Sequence, residues 1–187
     1  DSKWWTVAYD SVNGAWMIWR FDNPGWVATK AVQLGADNSL DLVMDSATNK
    51  LYVFSSHPSQ SRFRRYSYSA GVWTLDPGFP VLFTAFINPN GNNPISLVKA
   101  KNGELWLFRV NGVNKLQFKV STNNGTTWSA NKNIKTLSQT NGTVDAVAFS
   151  DGINNYVGVG YAEVGGAASA FGFLRHRDGD PITTWTD

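Results

Sequence analysis

The sequence predicts an all-β fold built from repeated four-stranded antiparallel units. Aromatic residues make up 14% of the 187 residues, and nine of them are Trp, a composition that suits the core of a β-rich protein. A hairpin pattern recurs roughly every 50 residues, a spacing found in repetitive all-β proteins. No long segment carries the apolar stripe of an amphipathic helix, because Gly or Pro interrupts every candidate.

The first half of each repeat is a hairpin. Each such segment contains a strand, a turn rich in Asn, Asp, Gly or Ser, and then an aromatic strand. The three segments are residues 39–54, 94–108 and 144–158. They predict an inner strand and the strand that pairs with it.

The N-terminal segment fits this pattern in two ways. Residues 4–10 are an inner strand if the turn at 9–14 corresponds to the turn at 44–49. They are equally well a second strand, with residues 17–21 as the third. In that case the inner strand of the first unit must come from sequence outside this chain.

The second half of each repeat is another hairpin, which carries a Trp just after a polar turn. The four strand-and-Trp pairs are 17–21 with Trp26, 62–68 with Trp73, 115–120 with Trp128, and 171–177 with Trp185. Four strands followed by a repeat predict the blades of a β-propeller, at about residues 1–37, 38–92, 93–141 and 142–187. These units form either a small four-bladed ring or part of a larger ring, and a β-sandwich is the alternative fold.

One turn has a sharper motif. The sequence Ser121-Thr-Asn-Asn-Gly-Thr-Thr-Trp128 resembles the Asp-box, or BNR repeat, which reads Ser-x-Asp-x-Gly-x-Thr-Trp. Asn123 replaces the Asp and can accept hydrogen bonds from its own turn, while Gly125 can adopt positive φ. Thr127 and Trp128 would start the next strand, with the indole between two sheets. We therefore expect Ser121 and the other motif residues to be structural.

The resemblance implies a function. Asp-box proteins include sialidases and other secreted proteins that act on or bind glycans, which implies a glycan partner and a secreted or cell-surface location. A sialidase would carry an Arg-Ile-Pro motif, three Arg for the substrate carboxylate and a Tyr-Glu pair. The chain has no Arg-Ile-Pro, and its three predicted inner strands contain no Arg. The polar loop at residues 88–94 also agrees with carbohydrate recognition without catalysis by this chain alone.

Two other functions stay open at this point. One is a sialidase-type exo-glycosidase with part of its active site outside this chain, and the other is a scaffold for protein interactions. Residues 75–80 and 144–147 also resemble parts of hemopexin-like propellers, but those domains normally join their ends by a disulfide, and this chain has no Cys.

Two places are candidates for ligand binding. Asp41 and Asp145 lie near the starts of two predicted inner strands, with Ser96 at the corresponding place in a third. Carboxylates around a central channel can bind a cation or a polar ligand, or accept hydrogen bonds from a neighbouring strand. His57 and Arg62 belong to a Ser- and Gln-containing loop that either binds sugar or is solvated.

Composition limits the other partners. A net charge of +2 argues against nucleic acid, so we expect the Arg-rich strand at 62–65 to present a solvated face, and His176 to be exposed in its turn. No apolar run approaches the ~18 residues of a membrane span. We find no motif for a metal or a cofactor. Because an open set of blades exposes two sheet edges, further blades or a larger assembly are expected.

Overall fold

The computed structural model describes residues 3–34, 39–57, 59–84, 86, 94–139, 142–163 and 170–187. The loop at 88–94, apart from Pro94, lies outside these residues. The described part is all-β, as predicted, and contains no helix that could span a membrane. Its strands are β1 (Trp5–Asp10), β2 (Ala15–Asp22), β3 (Gly25–Leu34), β4 (Ser39–Asp45), β5 (Lys50–Ser56), β6 (Ser61–Ser69), β7 (Val72–Leu75), β8 (Val81–Phe83), β9 (Ile95–Lys99), β10 (Leu105–Val110), β11 (Lys115–Ser121), β12 (Lys132–Thr136), β13 (Gly142–Ser150), β14 (Asn155–Glu163) and β15 (Ala170–Arg177).

These strands form four antiparallel sheets in chain order. The first sheet is β1-β2-β3, the second is β4-β5-β6-β7 with β8 also paired to β6, the third is β9-β10-β11-β12, and the fourth is β13-β14-β15. The inner strands β4, β9 and β13 contact one another in sequence, so the sheets stand side by side like propeller blades.

The first sheet settles the ambiguity at the N-terminus. Trp5 at the start of β1 packs against Trp73 of the second sheet, with ring centroids 5.4 Å apart. Trp106 near the start of β10 packs in the same way against Trp185 beyond the fourth sheet, at 5.8 Å. Because β10 is the second strand of its sheet, β1 occupies a second-strand position. Among the described residues, no strand pairs with its free edge.

Apolar layers fill the three spaces between adjacent sheets. Between the third and fourth sheets, the rings of Trp106, Phe108 and Phe118 are fully buried. Between the second and third sheets, Phe54 and Phe63 have the same role. Alternation along each strand sends neighbouring side chains to opposite faces, so an interior sheet presents apolar residues on both.

The turn at residues 121–128 joins the third sheet to the second. Asn123 Oδ1 accepts a hydrogen bond from Thr127 N at 2.9 Å, and Ser121 Oγ accepts one from Gly125 N at 2.9 Å. The Trp128 ring then packs on Phe63, with centroids 5.0 Å apart. A turn tied together by its own side chains therefore places the indole between the two sheets.

Two expectations about exposure were wrong. His176 is 1% exposed rather than solvated, because it alternates with two exposed Arg residues on β15 and faces the third sheet. Its ring lies 4.9 Å from that of Trp106, between centroids. Arg64 is also buried and donates to Ser55 Oγ at 2.9 Å, because both faces of the second sheet are covered.

Candidate functional site

The starts of the inner strands bring Asp41, Ser96 and Asp145 together. Ser96 on β9 is buried between the two carboxylates, with its Oγ 3.2 Å from Asp41 Oδ2 and 3.3 Å from Asp145 Oδ1. A hydroxyl has one proton, so Ser96 donates to only one carboxylate at a time. Residues from three different repeats thus form one cluster.

Asp41 is tied to the backbone on both of its oxygens. Its Oδ1 accepts a hydrogen bond from Leu42 N, and its Oδ2 accepts one from Leu97 N of the neighbouring inner strand, both at 2.7 Å. Burial raises the pKa of Asp41, and the charge of Asp145 acts in the same direction, against the opposing effect of these N–H groups. Asp41 therefore joins β4 to β9.

Asp145 has a freer carboxylate. The side chain is exposed, and its Oδ1 accepts a hydrogen bond from Ala146 N at 2.9 Å. Its Oδ2 has no hydrogen-bond partner within the described part of the chain. That oxygen is available to a donor from outside.

Asp145 lines a depression on the outward face of the fourth sheet, the face turned away from the third sheet. This depression, which we call the upper hollow, has a volume of about 440 Å³. We define it by Thr143, Asp145, Gly160, Phe171 and Phe173. A carboxylate, a hydroxyl and aromatic rings thus share one surface, a few polar groups in a mostly apolar cavity.

Glycines on β14 allow the rings of β15 to lie across the sheet. A Cβ at Gly158 would lie 2.4 Å from the Phe173 ring, and one at Gly160 would lie 3.8 Å from the Phe171 ring. Phe171 remains 80% exposed. Replacing Gly158 with a larger residue would push the Phe173 ring away from the sheet.

A second depression adjoins the first on the same face. This lower hollow has a volume of about 380 Å³, and we define it by Val147, Phe149, Phe173 and Arg175. Phe149 stacks on Tyr156 with centroids 5.2 Å apart. The lower hollow is therefore more apolar than the upper one, and Phe173 separates the two.

The other predicted ligand residues lie elsewhere. His57 is on the loop between β5 and β6 of the second sheet, where its Nδ1 accepts a hydrogen bond from Ser59 N at 3.2 Å. Arg62 donates to Gln60 Oε1 of the same loop at 3.4 Å. The third sheet stands between this loop and the outward face of the fourth, so the structure does not bring His57 and Asp145 into one hollow.

Phe171 and Phe173 were not predicted as site residues, although the sequence contains a signal for them. Glycines at 158 and 160 and phenylalanines at 171 and 173 share a two-residue period on adjacent strands. Residues two apart face the same side of a sheet, so this pattern predicts rings over glycines. In the described ranges, no group of three or more His, Asp or Glu residues could hold a metal ion.

Comparisons with known proteins give the fold. No protein-family model matches the sequence, and no curated protein matches it either. Among solved structures, AofleA from Arthrobotrys oligospora is 12% identical, with a TM-score of 0.62 over 99% of this chain and 53% of its own. The K499G mutant of NanB sialidase from Streptococcus pneumoniae is 12% identical, with a TM-score of 0.64 over 98% and 33%.

A third similar structure is the α-L-arabinanase of Cellvibrio cellulosa complexed with arabinohexaose. It is 10% identical, with a TM-score of 0.53 over all of this chain and 70% of its own. This chain thus spans about half of AofleA and a third of the sialidase. The similarities confirm the predicted β-propeller fold. Sequence identities this low do not show that catalytic or binding residues are shared.

Proposed function

We propose that the chain is a carbohydrate-recognising propeller of the Asp-box type from a secreted or cell-surface protein, and that its upper hollow binds a neutral sugar. The observation that carries this proposal is the free Oδ2 of Asp145 beside the exposed Phe171 ring in a hollow of about 440 Å³. The sialidase and the arabinanase among the similar structures are named for glycans, which supports the ligand class.

The hollow has the groups that a sugar needs. A sugar ring presents hydroxyl donors at its edge and an apolar C–H face. A carboxylate oxygen accepts hydrogen bonds from hydroxyls, and an aromatic ring offers a flat apolar surface for the C–H face. Asp145 would accept from the sugar, Phe171 would stack on it, and the exposed Thr143 hydroxyl would add one more hydrogen bond.

The charge of the cluster selects the kind of sugar. Asp145 lines the upper hollow, and Asp41 lies near it, because both carboxylates are within reach of the same Ser96 hydroxyl. An acidic sugar such as sialic acid, when bound in the upper hollow, would be repelled by these carboxylates. We therefore expect neutral sugars to bind and sialylated ones to bind poorly.

A second candidate function is glycoside hydrolysis. Paired carboxylates in different environments are the arrangement that glycosidases use, and burial raises the pKa of Asp41 beside Asp145. The backbone N–H groups on both Asp41 oxygens favour a positioning role for this residue instead. Release of free sugar from a bound glycan would support hydrolysis.

A glycan array followed by titration calorimetry tests the binding proposal. We expect neutral glycans to be retained, and Asp145→Asn to weaken binding by about tenfold or more, because a hydrogen bond to a charged acceptor is lost. Asp180→Asn is the matched control, since this aspartate lies in the turn after β15 and pairs with Arg177. Binding of sialylated glycans alone, or equal affinities for the two variants, would contradict the proposal.

A further inference from the structure

The sheets are joined by one repeated contact. In each interior interface, the Trp after the turn of one sheet packs against aromatic side chains of the preceding sheet. Trp73 packs against Trp5, Trp128 packs against Phe63, and Trp185 packs against Trp106. The indole is the projecting part of the contact, and the second and third strands of the preceding sheet are the receiving part.

The first sheet has the same projecting part without a partner sheet. Trp26 follows the turn after β2 and is 48% exposed. It pairs with Phe21 across the strands, and the rings lie 5.4 Å apart between centroids. Trp16 and Ile18 face the second sheet, so alternation along β2 places Phe21 and its partner Trp26 on the opposite face.

The fourth sheet has the receiving part. Its outward face carries the lower hollow, where Phe173 of the third strand lies 6.2 Å from Phe149 of the inner strand between ring centroids, and Phe149 in turn stacks on Tyr156 of the second strand. Phe149 and Phe173 lie on the outward face of the fourth sheet. In the second and third sheets, the corresponding face packs on the next sheet. Val147 and Phe173 are 51% and 42% exposed, and because both line the same hollow they form a contiguous apolar patch.

We propose that the lower hollow receives Trp26 of a second copy of this chain, so that two copies pack head to tail. The occupant is a second copy because this chain presents both halves of the contact that already joins its own sheets. A head-to-tail contact closes into a ring when the rotation permits it. The described residues of two copies supply eight sheets, within the roughly four to eight blades of closed propellers.

The assembly is compatible with an accessible Asp145. Within the described residues the first sheet begins with a second strand, so those residues of a docking copy place no inner strand beside β13. Phe173 lines both hollows, so the contact and the sugar site share this ring, while Asp145 on β13 has no inner strand of the described residues beside it. The dimer does not depend on sugar binding, because it is detected by the mass of the particle.

Light scattering after size-exclusion chromatography tests the assembly. We expect a particle of about twice the chain mass of 20.6 kDa. Trp26→Asp and Phe173→Asp should each give a folded monomer, checked by circular dichroism. If Phe173→Asp fails to fold, Val147→Asp replaces it. Val12→Asp is the control, because Val12 is 91% exposed on another loop and should leave the dimer intact.

Mixing the two monomeric variants tests the polarity of the contact. Trp26→Asp keeps an intact lower hollow, and Phe173→Asp keeps an intact Trp26, so the mixture should form a dimer through one remaining contact. A monomeric wild-type chain at high protein concentration would overturn the proposal. So would a dimer that survives Trp26→Asp, or a mixture of folded variants that stays monomeric.

Discussion

The two faces of the fourth sheet differ in what fills them. The face turned to the third sheet meets the buried rings of Trp106 and Phe108 from β10. On the outward face, β14 instead presents Gly158 and Gly160, and the rings of Phe171 and Phe173 from β15 lie over these glycines. One interface is filled and the other has two hollows, although the strands and turns are of the same kind. The face that no described sheet covers thus has small residues on its second strand, whereas the filled interface has large rings from the second strand of the third sheet.

The same difference explains why one aspartate is sealed and the other is free. Asp41 accepts a hydrogen bond from Leu97 N of the next inner strand, and Ser96 accepts one from Ala146 N of the strand after that. Asp145 has the corresponding place on β13, beside which the described residues provide no further inner strand. Its free oxygen follows from its position at the end of the series.

The largest expected effect tests the filled interface. Trp106→Ala removes a fully buried ring that packs against Phe118 at 5.2 Å and Trp185 at 5.8 Å, between ring centroids. Removing a buried Trp leaves a large cavity, so we expect the free energy of unfolding to fall by about 3–5 kcal/mol. Urea unfolding followed by Trp fluorescence measures the loss.

Phe171→Ala is the control on the open face. Phe171 is 80% exposed, so its truncation should change the free energy of unfolding by about 0.5 kcal/mol or less. A loss similar to that of Trp106→Ala would mean that Phe171 is covered in solution. A loss under about 1 kcal/mol for Trp106→Ala would mean that the interface between the third and fourth sheets is not tightly packed around this ring.

The next largest effect concerns the turn that closes the second and third sheets. Gly125 has a φ of 82°, and a Cβ there would lie 1.9 Å from the Phe63 ring. Gly125→Ala therefore combines an unfavourable backbone conformation with a steric clash, and we expect a loss of about 2–4 kcal/mol. Thermal unfolding by circular dichroism measures it.

Gly71→Ala separates the two contributions. Gly71 has nearly the same φ, 84°, but a Cβ there would have no atom within 4 Å. We expect this variant to lose only about 1 kcal/mol, the cost of the backbone conformation alone. Equal losses in both variants would show that the contact of Gly125 with Phe63 is unimportant for joining the sheets.

The sequence predicted the features that depend on local chemistry. Turn residues and alternation are local, so the hairpins and the Trp after each turn could be found. Asp41 and Asp145 could be predicted to lie close together, because residues at corresponding positions of the repeats line the same level of the central channel. In the turn at 121–128, the chemistry of Asn123 and Gly125 was likewise visible in the sequence.

Features that depend on neighbouring sheets could not be predicted in this way. His176 lies on a strand beside its turn, but it is buried against Trp106 from a distant part of the chain and against Trp185 beyond the next turn. The hollows beside Phe173 exist because no described sheet covers that face. Whether another sheet covers a given sheet face depends on residues far away in the sequence. The alternation of residues along one strand therefore cannot predict it.

The smallest effect concerns an ion pair in the closed interface between the second and third sheets. Asp45 at the end of β4 pairs with Lys99 at the end of β9, and both are largely buried. Burial alone would raise the pKa of Asp45, but hydrogen bonds from Lys99 and Thr48 outweigh it and hold the pKa below its ordinary value. A carboxyl whose pKa is lowered by folding stabilises the folded state when it is ionised.

The contribution of Asp45 should therefore be complete above a pH of about 4 and be lost as the pH falls through the lowered pKa. We expect Asp45→Asn to cost about 1 kcal/mol at neutral pH. Once the pH lies below this lowered pKa, the variant and the wild type should converge, because protonated Asp45 resembles Asn. Urea unfolding at several pH values measures both curves, with Asp180→Asn on the fourth sheet expected to show a smaller difference. A difference for Asp45→Asn that does not change with pH would mean that its hydrogen bonds, and not its charge, join the two sheets.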